Sequence, residues 1–319
     1  MSEFRFAIMG AGKIARKFCD AVNLLPNCRV VAVASKSKER AETLAAEKNI
    51  PSAYDDYEQM LKEKMPDCVY IATTPHAHYS LGMLCLDYKV PVLCEKAMFL
   101  NSNEAESFFS RAKAQNVFAR DARWSRFLPA NKKARAWIAE GKIGSLVFGD
   151  MGIGFIAPND PKGRYFNPAL GGGAAFDITV YGYMLTTWIL NKSEIRSNVE
   201  VTRSHTGVTE TELVLLQLED NIPAVIKSSF VTQVENQLII YGTSGKIVIP
   251  RPHHTDDAYL FNNKGEIVEH YVDNETENGF TYEIEETIRC IQEGKVESSI
   301  VPHEATIACA KLFDRINQG

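Results

Sequence analysis

The sequence predicts an α/β protein in two parts. Residues 1–121 form a domain with a parallel, doubly wound sheet, and residues 122–319 an α+β domain with an open, mainly antiparallel sheet. Three observations predict this. The 319-residue length suits about two domains. Up to residue 121, short apolar strands alternate with helix-length segments, the pattern of βαβ units. Beyond residue 123 that alternation gives way to long strands separated by short turns.

The first fifteen residues set the frame. Phe4-Arg5-Phe6-Ala7-Ile8-Met9 reads as a buried strand, followed at once by Gly10-Ala11-Gly12-Lys13-Ile14-Ala15 and by a helical pattern from Arg16. Strand, G-x-G-x-x-A turn and helix together are the fingerprint of a Rossmann-type dinucleotide site. Gly10 permits the tight turn and Gly12 lets the backbone approach a pyrophosphate. The helix N-terminus then offers free N–H groups and a positive dipole end to the anion, and Lys13 and Ile14 of the turn are expected to bind the cofactor with the two glycines.

A second strand, residues 28–34, is apolar on both faces, as a doubly covered parallel strand should be. At its end an NAD enzyme would place a carboxylate for the ribose 2′-hydroxyl. This chain has Ser35-Lys36-Ser37, with Arg40 one turn on. Two cations and no carboxylate suit a 2′-phosphate, so NADP is expected over NAD. Helices are predicted over 39–48, 57–64, 79–86 and 102–115. The strands between them cover 68–72, 90–94 and 117–119. In such a sheet, ligands sit beyond the carboxyl ends of the strands. The ends at Gly10, Ser35, Thr73-Thr74 and Glu95-Lys96 are therefore expected to line one crevice.

The second part begins with a helix over 130–140, ended by Gly141. Strands are predicted at 145–154, 199–203, 212–218, 224–231, 237–241 and 246–249. A helix from near Gly173 to Leu190 interrupts them, and helices at 282–293 and 304–316 close the chain. An open sheet of this kind leaves one face to be covered, which a homodimer would do by two-fold packing.

Composition narrows the function. The formal net charge is −5 and no basic run stands out, which argues against nucleic acid or an anionic membrane as partner. No apolar run is long enough to span a bilayer and no leader precedes the first strand. Seven cysteines without a C-x-x-C pair read as reduced thiols of a cytoplasmic protein. His76-Ala77-His78 has no third ligand nearby, so no metal site is expected. Arg251-Pro252-His253-His254 reads as a turn with solvated histidines, and Glu283, Glu285 and Glu286 as one exposed helix face.

Two places carry proton chemistry. Lys96 ends a strand on the crevice side, where burial and positive charge would bring its pKa toward the working range. Taken alone it also reads as a surface lysine. Gly171-Gly172-Gly173 opens a helix on which Asp177 and Tyr181, spaced i, i+4, share a face. A carboxylate beside a phenol can orient a diol and relay its proton. The plainer reading is a dipole-compensating Asp with a core Tyr.

Taken together, Gly10-x-Gly12-x-x-Ala15, Thr73 to His78, Cys94-Glu95-Lys96, Trp124-x-Arg126-Phe127-x-Pro129 and Gly-Gly-Gly-Ala-x-x-Asp177-x-x-x-Tyr181 resemble the glucose–fructose oxidoreductase / inositol dehydrogenase / MocA (Gfo/Idh/MocA) family. The likeness is strongest to its dihydrodiol dehydrogenase and sugar-oxidising branch. It covers nearly the whole chain, including Tyr282-Glu283 and residues 301–305.

The resemblance implies a Rossmann domain plus an open-sheet domain that pairs across a homodimer. It implies NADP-dependent hydride transfer at a CH–OH carbon of a cyclic polyol, sugar or dihydrodiol. Lys96 matches the family's catalytic lysine, and Tyr181 with Asp177 its acid/base pair. Trp124 and Arg126 match a segment beside nicotinamide and substrate, and His78 a histidine after the third strand. Phe155 and Phe280 match the aromatic walls of the substrate pocket, and Lys36 with Arg40 the pair that holds the phosphate. Two departures stand out. Ala97 replaces a proline that is often cis, so the bond before it is expected to be trans. Thr179 replaces a glycine and is expected to crowd the backbone. A catalytically silent NADP-binding sensor is the alternative that Ala97 keeps open.

Overall fold

The computed structural model describes residues 3–318. They divide into two compact units, residues 3–124 with 278–307, and residues 125–277 with 308–318. This differs from a single cut after residue 121, because the C-terminal stretch 278–307 returns to the first unit.

The first unit opens with β1 (Phe4–Met9), α1 (Lys13–Asn23), β2 (Cys28–Ala34), α2 (Lys38–Lys48), β3 (Ala53–Tyr54) and α3 (Tyr57–Lys64). β4 (Cys68–Ile71), α4 (His78–Asp87), β5 (Val92–Cys94), α5 (Ser102–Ala114) and β6 (Ala119–Asp121) follow. The strand order is β3-β2-β1-β4-β5-β6, the doubly wound arrangement, and every pairing is parallel. β1, β4 and β5 are almost wholly buried, which explains their continuous apolar runs. β3 has two residues, too few for a sequence pattern, and was not foreseen. Phe6, Phe18 and Tyr70 centre the core, with Phe18 and Tyr70 stacked at 3.8 Å.

The second unit starts with α6 (Pro129–Ala139) and β7 (Leu146–Gly154). A π-helical stretch, Ala175–Thr179, leads into α7 (Val180–Leu190). Then come β8 (Glu194–Arg203), β9 (Thr209–Leu218), β10 (Pro223–Ser229), β11 (Val234–Gly242), β12 (Gly245–Pro250), β13 (Asp257–Asn262) and β14 (Ile267–Val272). The eight strands lie in the order β14-β13-β12-β11-β7-β10-β9-β8. All pairs are antiparallel except β7 with β10. β13 and β14 escaped the sequence reading. β14 is an edge strand with no buried residue, so it lacks an apolar signature.

One face of this sheet is core. Val214, Leu216 and Leu218 of β9 are buried beside Ala224 and Ile226 of β10. α7 lies against that face so closely that a Cβ on Gly182 would come within 2.5 Å of Ile226. The opposite face exposes Leu213 and Leu215 of β9, 47% and 57% accessible.

The chain ends with α8 (Phe280–Gln292) and α9 (His303–Gln318). α8 packs in the first unit, where Phe280 and Ile284 join the core. This overturns the exposed acidic face expected there. Only Glu285 is exposed, whereas Glu283 is fully buried and Glu286 is 8% accessible. Buried Arg120 explains Glu283: its guanidinium donates to the Glu283 carbonyl and the Thr287 hydroxyl, both at 2.9 Å, with the Glu283 carboxylate 3.5 Å away. Burial is the largest influence on that carboxyl and pushes it up to about 8, against the pull of Arg120.

Candidate functional site

In the first unit the ends of β1, β2, β4 and β5 come together by direct backbone bonds. The Gly10 N–H donates to Ala34 at 2.8 Å, Ala72 to Met9 at 2.7 Å, and Glu95 to Ile71 at 2.9 Å. The strand ends expected to share one edge therefore do so.

The glycine turn shows why each glycine is needed. Gly10 has φ +108°, and a Cβ there would lie 2.6 Å from the Ala72 carbonyl oxygen. Gly12 differs: a Cβ would meet nothing within 4 Å, so its missing side chain leaves open space. Gly12 is also the N-cap of α1, and no side chain caps that end or places an acid in the first turn. The first N–H groups of α1 have no side-chain acceptor, which is the donor set an anionic pyrophosphate requires. Lys13 is exposed and Ile14 packs against the core. Arg16 braces the turn, donating to Glu47 at 2.7 Å and to the Ala11 carbonyl at 3.3 Å.

At the end of β2, Ser35 is buried and its hydroxyl accepts from Ser37 N–H at 3.3 Å. The Ser37 hydroxyl in turn caps α2, accepting from Arg40 N–H at 3.3 Å. Lys36 and Arg40 are both exposed around this cap. Thr73 and Thr74 follow β4 and lead into a short turn at Pro75–Ala77. His78 lies buried beyond it, its ring nitrogens 2.8 Å from the Ala97 carbonyl and 3.0 Å from the Thr73 carbonyl. It staples the loop after β4 to the loop after β5, and burial lowers its pKa.

That second loop holds Glu95 and Lys96. Glu95 is buried, accepts from the Tyr70 hydroxyl at 2.5 Å and from Lys96 N–H at 3.3 Å, and burial raises its pKa. Lys96 itself is half-buried. The Lys96–Ala97 peptide is cis, which corrects the trans bond expected without proline. The intrinsic trans preference is a local one. Here the Ala97 side chain is fully buried and its carbonyl faces His78, so packing decides the geometry. Trp124 stacks on Phe280 at 5.1 Å, which joins two residues predicted from distant parts of the sequence.

The second unit holds the remaining predicted residues. Arg126 is buried, donates to the Met184 carbonyl of α7 at 3.2 Å and lies over Trp188. Phe155 packs at 5.6 Å from Tyr165 and 5.4 Å from Phe230. Asp177 and Tyr181 stand at the junction of the π-helical stretch and α7, both half-buried. Thr179 stands between them. It is fully buried and its hydroxyl donates to Glu212 of β9, itself buried.

Two neighbours were missed. Arg164, from the loop after β7, donates to Asp177 Oδ1 at 2.5 Å. His253, from the turn between β12 and β13, has its ring 5.5 Å from that of Tyr181. Only His254 is exposed, so one of the two histidines read as solvated instead packs on the phenol. Neither contact has a local sequence signal, because both join residues far apart in the chain. Among the described residues no cluster of His, Cys, Asp or Glu could hold a metal ion, and no helix is long and apolar enough to cross a membrane.

Comparison with known proteins follows the same division. Residues 4–120 match the model of the oxidoreductase family GFO_IDH_MocA, with an NAD-binding Rossmann fold, and residues 131–248 match the GFO/IDH/MocA C-terminal domain. The trans-1,2-dihydrobenzene-1,2-diol dehydrogenase of Mus musculus is 32% identical over 317 residues, covering 97% of this chain and 95% of that one. Among solved structures, KijD10, a 3-ketoreductase from Actinomadura kijaniata in complex with NADP and TDP-benzene, superposes with a TM-score of 0.89 at 19% identity, over 100% of this chain and 98% of that one. Levoglucosan dehydrogenase in complex with NADH and L-sorbose gives 0.87 at 17% identity, over 100% and 96%. These two share the fold.

Proposed function

Because the chain belongs to the GFO/IDH/MocA oxidoreductase family, we propose that it is an NADP-dependent dehydrogenase that moves hydride between nicotinamide and a CH–OH carbon of a cyclic polyol, pyranose sugar or trans-dihydrodiol. The observation that carries this is that Asp177 and Tyr181 stand at one helical junction, in a chain that also has Lys96 beside Glu95 at the end of β5. A binding fold alone would need none of these proton-carrying groups.

The first unit fits the nucleotide. The open space at Gly12, the uncapped N-terminus of α1 and the strand-end residues Thr73, Thr74, Glu95 and Lys96 would hold it. Lys36 and Arg40 are exposed with no carboxylate at the end of β2, which supports NADP rather than NAD. The bound nicotinamide supplies the hydride donor or acceptor carbon. Tyr181 is the acid/base that takes the hydroxyl proton from the substrate. Lys96, half-buried beside Glu95, is the second group proposed to handle the proton. Asp177 accepts a second substrate hydroxyl. Trp124 with Phe280 in the first unit, and Phe155 in the second, are apolar surfaces for the substrate, and Arg126 and His78 each hold the backbone of their own unit in place.

The exposed apolar face of the second sheet supports a homodimer closed by two-fold packing of that face. The seven cysteines, none of them in a disulfide, support a reducing, cytoplasmic setting. The test is spectrophotometric: the purified chain is given NADP or NAD with D-xylose, D-glucose, myo-inositol and trans-dihydrobenzenediol. Reduction of NADP by one of these supports the reading. Tight nucleotide binding without turnover of any of them indicates the silent sensor instead.

A further inference from the structure

The glycine run before Asp177 has a second use. Gly172 N–H donates to the Asn167 carbonyl at 3.0 Å and Gly173 N–H to the Tyr165 carbonyl at 2.9 Å. A Cβ on Gly172 would lie 2.8 Å from the Tyr165 oxygen. The run therefore docks on the loop 155–167. The loop is folded on itself as well, with Asn167 N–H on the Gly163 carbonyl at 3.0 Å and Gly163 N–H on the Asp160 carbonyl at 2.9 Å. Tyr165 and Phe166 anchor it by packing on Phe230 at 5.4 and 5.9 Å. Arg164 stands immediately before these two anchors. Its guanidinium stacks on Tyr165 at 4.6 Å and donates to Asp177 Oδ1 at 2.5 Å. The Arg164 side chain is 57% accessible and that of Asp177 is 19%.

We infer that Arg164 is a specificity-determining residue that selects polyhydroxylated rings, sugars and polyols, over dihydrodiols whose ring is otherwise hydrocarbon. This rests on the reading of Asp177 as a substrate contact. A guanidinium carries five N–H donors in a rigid fork. One is spent on Asp177, and more than half of the side chain stays open to solvent. The pair thus offers an acceptor and several donors along one edge. A vicinal diol satisfies the acceptor and the proton-taking phenol with its two hydroxyls. Only a further hydroxyl or ring oxygen can take the donors of Arg164. The discrimination is a difference in bonds made: a sugar or polyol gains charge-assisted hydrogen bonds from the guanidinium that a dihydrodiol cannot make.

The experiment compares wild type with Arg164→Ala and Arg164→Lys. The first readout is calorimetric binding of D-xylose, D-glucose and myo-inositol to the NADP-loaded chain. The second is the ratio of kcat/KM for the best sugar to that for trans-dihydrobenzenediol. The expected result is an about tenfold or greater weakening of sugar binding in Arg164→Ala, and an about tenfold fall in the ratio, carried by KM. Partial recovery is expected in Arg164→Lys, which restores charge without the fork. An unchanged ratio, with both substrates losing equally, would assign Arg164 to holding the loop and overturn the inference. If wild type turns over neither substrate, the oxidoreductase reading fails, but the binding readout still decides: no sugar binding, or binding that ignores the substitution, sinks the role of Arg164.

Discussion

The two units carry their chemistry in different currencies. In the first, the candidate nucleotide site is made chiefly of backbone: a glycine at φ +108°, an uncapped helix start and four strand ends joined by N–H to carbonyl bonds. In the second, it is made of side chains held by tertiary contacts, with Arg164 on Asp177 and His253 on Tyr181. A backbone position such as Gly10 has no room for an added atom, whereas a side chain can be changed one property at a time. Substitution at such a backbone position should therefore abolish binding, and substitution of a side chain should remove one function.

Gly10→Ala is the most severe break. The new Cβ would meet the Ala72 carbonyl oxygen at 2.6 Å in a backbone conformation that L-residues rarely adopt. Destabilisation by about 2 kcal/mol or more and loss of nucleotide binding are expected, read by thermal unfolding and nucleotide fluorescence titration. A variant that bound nucleotide normally would show that the turn can shift.

The charge pair beyond β2 should have an intermediate effect. Replacing both Lys36 and Arg40 by Ala is expected to lower the preference for NADP over NAD by about 10- to 100-fold, through loss of charge-assisted bonds to the 2′-phosphate. The check is kcat/KM for each nucleotide. An unchanged ratio would move the selectivity elsewhere.

The smallest effect separates structure from chemistry within the first unit. The Glu283 carboxyl keeps its proton up to about pH 8 when folded, because burial outweighs Arg120, but ionises near its ordinary value of 4.5 when unfolded. The unfolded chain therefore binds fewer protons across this window, and the contribution of Glu283 to stability falls as pH rises from about 4.5 to 8. Glu283→Gln, which mimics the protonated form, should melt close to wild type at pH 5 and gain on it by about 1 kcal/mol or more toward pH 8. Parallel melting curves across that range would show that the carboxyl is ionised throughout.

The same contrast explains what was legible in the sequence. β1, the glycine turn and α1 are adjacent in the chain, so one local pattern specified them, and parallel pairing placed Ser35, Thr73 and Lys96 on the same sheet edge. The helix expected after the glycine run was likewise legible, and its first turns carry Asp177 and Tyr181. What was not legible came from contacts with no local signature. Arg120 buries Glu283 from 163 positions away. Arg164 and His253 reach their partners through loops whose path depends on the finished sheet. β14 has no buried face to announce it. The geometry of the Lys96–Ala97 bond depends on packing around Ala97 that propensity cannot register.

The most direct measurement is the reduction of NADP at saturating sugar or dihydrodiol by wild type and by Tyr181→Phe, with nucleotide affinity measured alongside. The account predicts that kcat falls by about a hundredfold or more in the variant while nucleotide binding is retained, because only the proton acceptor has gone. Turnover undiminished in Tyr181→Phe would contradict it.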